Sequence, residues 1–580
     1  MTAAGAFQNA TIQEQTHFSQ VMAGNRTYRA FLPPSYAASQ KRYPVIYWIH
    51  GFEQASDVAA YTKQIADYVA AHDVLVVDFG PLETTGQFPL YFPELAEQVD
   101  KNFRTIADRG HRALSGFFAG GFMALFTAGK FPDWAGSASD FMGPTEYNLG
   151  PSNFDVETNE DDLYENYAGV RTRLVTGTRD YLRFYDDRLN SIWRFARANH
   201  ETEAFDAAHS TPDLAKTFDF HMRAFADPLP KPSTFSHIDM YPNFDVWDWE
   251  VASDRRQPGF TMLENVSGSG FRCAVREWLP SGDTIPDVKL SIASAKLYAP
   301  GSAHTVTYVR LRDGKMRRSA LKADAQGRLN FELDGDAYEV GVANDALIAV
   351  SGYEIADAAW ATAGQPVKVR VKFTNKGALR SAMTTVQWQS ANPDVKFDVP
   401  SSRLFALMPG ETLGLPVTVT VSDPGRAIVE VEAVIGTHRM AVDVPLYPAA
   451  AAETKFQIVD GKSVTVARHA TQASEESLGE GNGDGHAAPG ETFAVLIPDG
   501  NVLRTAELIT NDRCLTNLVR ASDSWVDYDH SGASVKYTLA TVKRECEPGT
   551  PIHALARIVI PHAPDHEVRY AAIEFPVWWR

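Results

Sequence analysis

The chain has 580 residues, carries 54 Lys and Arg against 72 Asp and Glu for a formal net charge of −18, and is 44% hydrophobic and 22% charged. That length exceeds what one hydrophobic core usually supports, so several domains are expected in a globular protein of ordinary composition. The acidic balance argues against nucleic acid or an anionic membrane surface as partner, because phosphate contacts need clustered Lys and Arg.

No apolar run approaches the roughly 20 residues of a membrane span, and residues 1–19 lack the basic start and apolar core of a signal peptide. Three cysteines make neither a disulfide framework nor a zinc cluster. Cys514 and Cys546 are spaced to allow one bridge, which leans towards an oxidising compartment, secreted or periplasmic, and Cys273 stands alone.

Residues 26–250 read as α/β. Residues 29–34 form a strand stopped by Pro33 and Pro34, and Tyr43-Pro44-Val45-Ile46-Tyr47-Trp48-Ile49-His50-Gly51 is a nearly continuous apolar run, as in a strand buried on both faces. A helix is expected over 57–71, a buried strand over 74–79 and a helix from 92 to about 108. Next come a strand into residue 116, a helix over 121–130, a strand over 171–177, and helices over 182–199 and 214–226. Strands alternating with helices predict a doubly wound, mostly parallel sheet. After residue 250 the helical period stops. Short strands are expected near 289–292, 305–310, 329–333 and 367–373, with turns at Asp313-Gly314, Asp334-Gly335 and Asn375-Lys376-Gly377. The division expected is an α/β domain over 1–250 and β-sandwich-like domains over 251–343, 344–448 and 449–580, with a linker at 449–452.

One stretch concentrates the chemistry: Leu114-Ser115-Gly116-Phe117-Phe118-Ala119-Gly120-Gly121. An apolar strand enters it, glycines crowd a turn and a helix leaves it, which is the strand–turn–helix pattern G-x-S-x-G of a nucleophile elbow. The serine position holds Phe118, whose ring has neither a lone pair to attack a carbonyl nor a proton to give up. The order nucleophile, acid, histidine continues with Asp180 after the strand at 171–177 and His209 some 29 residues later. Ser115, or another hydroxyl such as Ser137 or Ser139, is the alternative for the nucleophile. Asp180 also suits a helix cap, and His221 and His237 suit structural roles.

On the residues Arg26-Thr27-Tyr28-Arg29-Ala30-Phe31-Leu32-Pro33-Pro34, Tyr43 to Gly51, Arg112 to Gly116 and Gly120 to Leu125, the first 250 residues resemble the esterase family of α/β-hydrolases. That group holds feruloyl and acetylxylan esterases, enterochelin esterases, esterase D and the mycolyltransferases. The resemblance implies an α/β-hydrolase fold with no required cofactor. It also implies Asp180 and His209 as acid and histidine, and an oxyanion hole from the backbone N–H of Ala119 and of the residue after Gly51. Phe118 departs from the family pattern at the nucleophile.

Two further stretches stand out. Residues 235–250 are dense in aromatic rings beside Asp and Asn, which suits either a domain junction or sugar binding. Residues 475–490 read as a glycine-rich acidic loop, in which Asn482, Asp484 and Glu491 offer oxygen ligands suited to Ca²⁺; this loop resembles the entry loop of secreted Ig-like modules. The reading is an esterase-like protein without its serine, a non-hydrolytic binder of a glycan or small ester-type ligand. The alternatives are a hydrolase with another nucleophile, or a scaffold whose β domains hold a cell-surface polymer.

Overall fold

In the computed structural model the described residues are 9–51, 55–79, 86–151, 153–195, 199–210, 213–279, 282–356, 358–390, 392–422, 428–447, 454–469, 472–523, 535–559 and 568–579. The chain divides into two compact units, residues 1–252 with 256–258, and residues 253–255 with 259–580. No helix among the described residues is long and apolar enough to cross a membrane.

The first unit is built from β1 (Thr11–Ser19), β2 (Gly24–Leu32), α1 (Pro34–Ala38), β3 (Val45–Ile49), α2 (Ala55–Ala71), β4 (Leu75–Asp78), α3 (Tyr91–Asn102), β5 (Arg112–Phe117) and α4 (Ala119–Lys130). It continues with β6 (Ser137–Phe141), β7 (Glu146–Leu149), β8 (Val156–Asn159), β9 (Arg171–Gly177), α5 (Arg183–Phe195), β10 (His200–Phe205) and α6 (Leu214–Ala226). Eight strands form one sheet in the order β1-β2-β4-β3-β5-β6-β9-β10. Pairing is antiparallel at β1–β2 and β2–β4 and parallel from β4 to β10. That arrangement is the α/β-hydrolase sheet, and it follows from strand composition: every residue of β3, β4 and β5 is buried, as a two-faced parallel strand requires. The chain runs outward from β3 to β4 and then crosses back to β5. This switch opens a crevice at the carboxyl ends of β3 and β5, where open α/β sheets place their ligands.

Three strands of this sheet escape the sequence pattern. β6 reads Ser-Ala-Ser-Asp-Phe, without an apolar strand pattern, yet all five residues are buried, because Ser137 and Ser139 find hydrogen-bond partners inside. β10 is a polar edge strand whose Glu201 and Glu203 pair with Arg173 of β9. β1 lies on the opposite edge with its side chains largely exposed. The helix expected to reach 108 stops at Asn102, since the following segment bridges β3: Tyr43 and Thr105 pair, and Ile106 N–H donates to Tyr43 O at 2.8 Å.

Unit 2 is all β. Residues 348–447 form a four-stranded and a five-stranded sheet, and one core fills the space between them. Val369, Val371, Phe373, Val417 and Val419 come from the first sheet, and Val386, Trp388, Val429, Val431 and Val444 from the second. Residues 457–576 form a seven-stranded and a three-stranded sheet around Phe493, Val495, Ile552, Ala554 and Phe575. Cys514 and Cys546 are bonded across a separation of 32 residues, and Cys273 is free and buried. A buried cluster ties the 260–342 strands to the next block: Lys376 Nζ lies 3.2 Å from Glu339 Oε1, and Arg272 bonds both Glu339 and Val350 O. Residues 475–477, expected as loop, close the strand Gln472–Ser477. The expected linker at 449–452 lies outside the described residues.

Candidate active site

β5 runs straight into α4 with a single residue, Phe118, at the corner. Its φ of 54° and ψ of −126° are a conformation that costs an L residue on the order of 1–3 kcal/mol. The turn is closed by backbone: Phe118 N–H donates to Phe141 O at 2.9 Å, and Gly121 N–H returns to Phe118 O at 2.8 Å. The flanking glycines are there for lack of room. A Cβ on Gly116 would stand 2.7 Å from Ile49 O, and one on Gly120 would stand 2.9 Å from His50 C. Gly121 faces the Asp140 carboxylate with no space for a methyl. The elbow is therefore built in full with a phenylalanine at its apex.

The other two positions converge on it. Asp180 follows β9, is 4% exposed, and accepts Leu182 N–H at 2.9 Å, so it does act at the start of the next helix. Both of its carboxylate oxygens also lie 3.2 Å from His209 Nδ1. That contact fixes the imidazole with Nε2 facing away from Asp180, the orientation a general base requires. The His209 ring meets the edge of Phe118 at a centroid distance of 5.0 Å and an interplanar angle of 86°. Phe117 and Tyr181 close around the same imidazole at 4.9 and 4.8 Å. The residues expected as acid and histidine are thus in contact, and the Phe118 ring stands against the imidazole.

Of the oxyanion donors that the resemblance implies, Ala119 is the first residue of α4, so its N–H is a first-turn donor outside the helix ladder. The second donor, after Gly51, lies outside the described residues.

The alternative hydroxyls are sealed in the core. Ser115, Ser137, Ser139 and His221 are all 0% exposed. Ser115 Oγ lies 2.7 Å from Ser139 Oγ, and His221 bridges Ser139 at 3.2 Å and Ser137 at 2.9 Å. Burial, with Arg173 and Arg223 nearby, pushes the His221 pKa down to about 3, so this is a neutral structural network that no substrate reaches. His237 is likewise 0% exposed.

Sequence reasoning missed the acidic floor beneath the dyad. Asp140 at the end of β6 accepts Gly143 N–H at 3.0 Å. Burial holds its pKa well above the usual carboxylate range, with Glu160 and Asp180 adding to the effect. Asp186 on α5 is raised in the same way, by burial and then by Asp140. Glu160 is 0% exposed, accepts the Tyr167 hydroxyl, and is pushed up to about 8 by burial. No motif marks these residues; only the fold gathers them.

A carboxyl with a raised folded pKa contributes stability that is complete below its unfolded pKa and is lost as pH rises towards the folded value. For Glu160 that window runs from the ordinary carboxyl value of 4.5 to about 8. Thermal melts should therefore show Glu160→Gln more stable than wild type at pH 8, with the gain fading to nothing at pH 4. An equal gain at both pH values would contradict a protonated Glu160.

The remaining sequence candidates are placed elsewhere. Phe235, Tyr241, Phe244, Trp247 and Trp249 are 2–7% exposed, so this stretch offers no ring face to a sugar, because its rings are packed into the protein. Trp247 receives Arg109 over its ring at 5.0 Å. In the acidic loop, Asn482 Oδ1 accepts Asp484 N–H, Asp484 Oδ1 accepts His486 N–H, and Glu491 Oε2 accepts Ala488 N–H. These oxygens serve their own turn, and no group of three or more His, Cys, Asp or Glu is arranged for a metal among the described residues.

Comparison with known proteins bears on the first unit. The model of the family described as "Putative esterase" matches residues 19–88, which carry β2, β3 and β4 of the sheet. An esterase of Mycobacterium tuberculosis, found in two strains, is 31% identical over 134 residues, 21% of this chain and 29% of that protein. The chain thus spans under a third of the length of the curated relatives it matches. Among solved structures, a ferulic acid esterase is 21% identical over 37% of this chain and 98% of its own, with a TM-score of 0.32. An S-formylglutathione hydrolase from Agrobacterium tumefaciens is 17% identical over 40% and 98%, with a TM-score of 0.31. Over the matched residues the first unit is thus similar in sequence to esterases.

Proposed function

We propose that the first unit is a non-hydrolytic member of the esterase lineage that binds an ester-type ligand, free or borne on a glycan, without covalent turnover. One observation carries the reading: Phe118 holds the strained apex of a complete elbow, with its ring edge against the oriented His209. An acyl-enzyme needs an oxygen or sulfur at that point, and the nearby serines are buried in a closed network. The ring wall of Phe117, Phe118 and Tyr181 supports an apolar acyl or aryl group as the ligand's buried part. The Cys514–Cys546 bridge supports a secreted or periplasmic setting.

The test is direct. The intact protein is incubated with a fluorophosphonate probe and with a short-chain nitrophenyl ester at pH 7.5. Absence of probe adduct, with ester turnover equal to that of a His209→Ala variant, is expected. A serine labelled by the probe overturns the reading.

A further inference from the structure

We propose a saccharide-binding platform at the edge of the last β block, formed by Trp578, Trp579 and His486, independent of the cleft in the first unit. Trp579 is 61% exposed, the largest apolar ring among the exposed hydrophobic residues. Its six-membered ring reaches the turn at Gly549, where an added Cβ would stand 3.4 Å from it, while most of the side chain stays in solvent. Trp578 crosses it at 74° with 6.0 Å between centroids, which makes a corner of two indole planes.

The corner is rigid before any ligand arrives. His486 stacks on Trp578 at 3.8 Å and 9°, and Trp578 N–H donates to Ala487 O at 2.9 Å. The loop carrying His486 is anchored from below by Asp460, 0% exposed, which accepts Gly483 N–H at 2.8 Å and Gly485 N–H at 3.1 Å. Both glycines have positive φ, so the loop takes a path that other residues resist. A pre-ordered aromatic surface loses little entropy on binding.

The rim decides the ligand class. Asp484 on the loop and Glu547 on the turn before Gly549 are exposed carboxylates, hence acceptors without protons to give. An acceptor-rich rim beside flat rings suits a ligand rich in hydroxyl or ammonium donors with an apolar C–H face, which describes a neutral or amino sugar. A proline-rich peptide also stacks on aromatic rings, but its carbonyls need donors, and a uronic-acid polymer would face like charge.

The experiment uses the full chain in affinity gel electrophoresis and calorimetry. The probes are arabinoxylan, mixed-linkage glucan and chitohexaose, with polygalacturonate and decaproline as contrasts. At least one of the first three should bind, with about a tenfold loss of affinity in Trp579→Ala, partial recovery in Trp579→Phe, and no change in Phe405→Ala. Phe405 is equally exposed, at 62%, and lies outside the platform. No saccharide binding by the wild type, equal binding by Trp579→Ala, or binding of decaproline or polygalacturonate alone overturns the proposal. A fluorophosphonate-reactive serine would instead strike only the reading of the first unit.

Discussion

Phe118→Ser is expected to turn this protein into an esterase. The backbone corner at 118 is held by hydrogen bonds to Phe141 and from Gly121 that do not involve its side chain. A serine there would present its hydroxyl at the apex, on the side where the His209 ring now meets Phe118. Asp180 already fixes the imidazole through Nδ1, so the incoming hydroxyl would find its base oriented. Hydrolysis of a short-chain nitrophenyl ester should rise by about 10³-fold over the parent protein, with covalent labelling by a fluorophosphonate at residue 118. Phe118→Ser with His209→Ala should fall back to the parent rate. Phe118→Ala should stay inactive while opening the cleft, which separates the chemistry from mere access. The substitution also removes part of the packing against Phe117 and His209, so a loss of roughly 2 kcal/mol in stability should accompany the gain. Labelling of the Phe118→Ser variant without ester turnover would mean that the oxyanion donors, not the nucleophile, were the missing part.

Lys130→Met should be the most destabilising single change outside the cleft. Lys130 ends α4 with its side chain 2% exposed and pairs with Asp239, 1% exposed. Its Nζ also lies 4.3 Å from the centre of the Tyr241 ring, and Asp239 Oδ1 accepts Tyr241 N–H at 2.8 Å. Removing one partner leaves a carboxylate sealed away from water, at a cost of about 3–5 kcal/mol. Urea unfolding should show this as a lower midpoint at unchanged slope. The double variant Lys130→Met with Asp239→Asn should recover a large share, because the stranded charge is then gone. Loss of only a few tenths of a kcal/mol in the single variant would mean that water reaches the pair.

The sequence carried the α/β frame because two-faced burial writes itself into composition. Val45–Ile49 and Leu75–Asp78 are buried from end to end and almost wholly apolar, and helices between them keep a 3.6-residue period. The elbow was legible for a steric reason: glycines at 116 and 120 sit where no Cβ fits. Asp180 and His209 were legible from chain order after a buried strand. The sequence was less informative where a polar side chain is satisfied out of its own neighbourhood. β6 shows no strand pattern in the sequence, and its Ser137 and Ser139 are satisfied by His221, which comes from α6, far along the chain. For the tryptophans of 235–250 the sequence suited either a domain junction or sugar binding, and three-dimensional packing hides them. The acidic floor of Asp140, Glu160 and Asp186 has no spacing at all, since its members come from β6, from the segment after β8 and from α5.

The sequence by itself therefore determined that residue 118, between Gly116 and Gly120, is a phenylalanine, whose side chain has no oxygen. Only the tertiary structure decided what surrounds that fact. It brings Asp180 and His209 together against the Phe118 ring, and it buries Ser115, Ser137 and Ser139 beyond reach. It also leaves Trp579 open to solvent while Trp247 and Trp249 are closed in. Exposure and distance are properties of packing between segments remote in the chain, and local pattern carries no record of them.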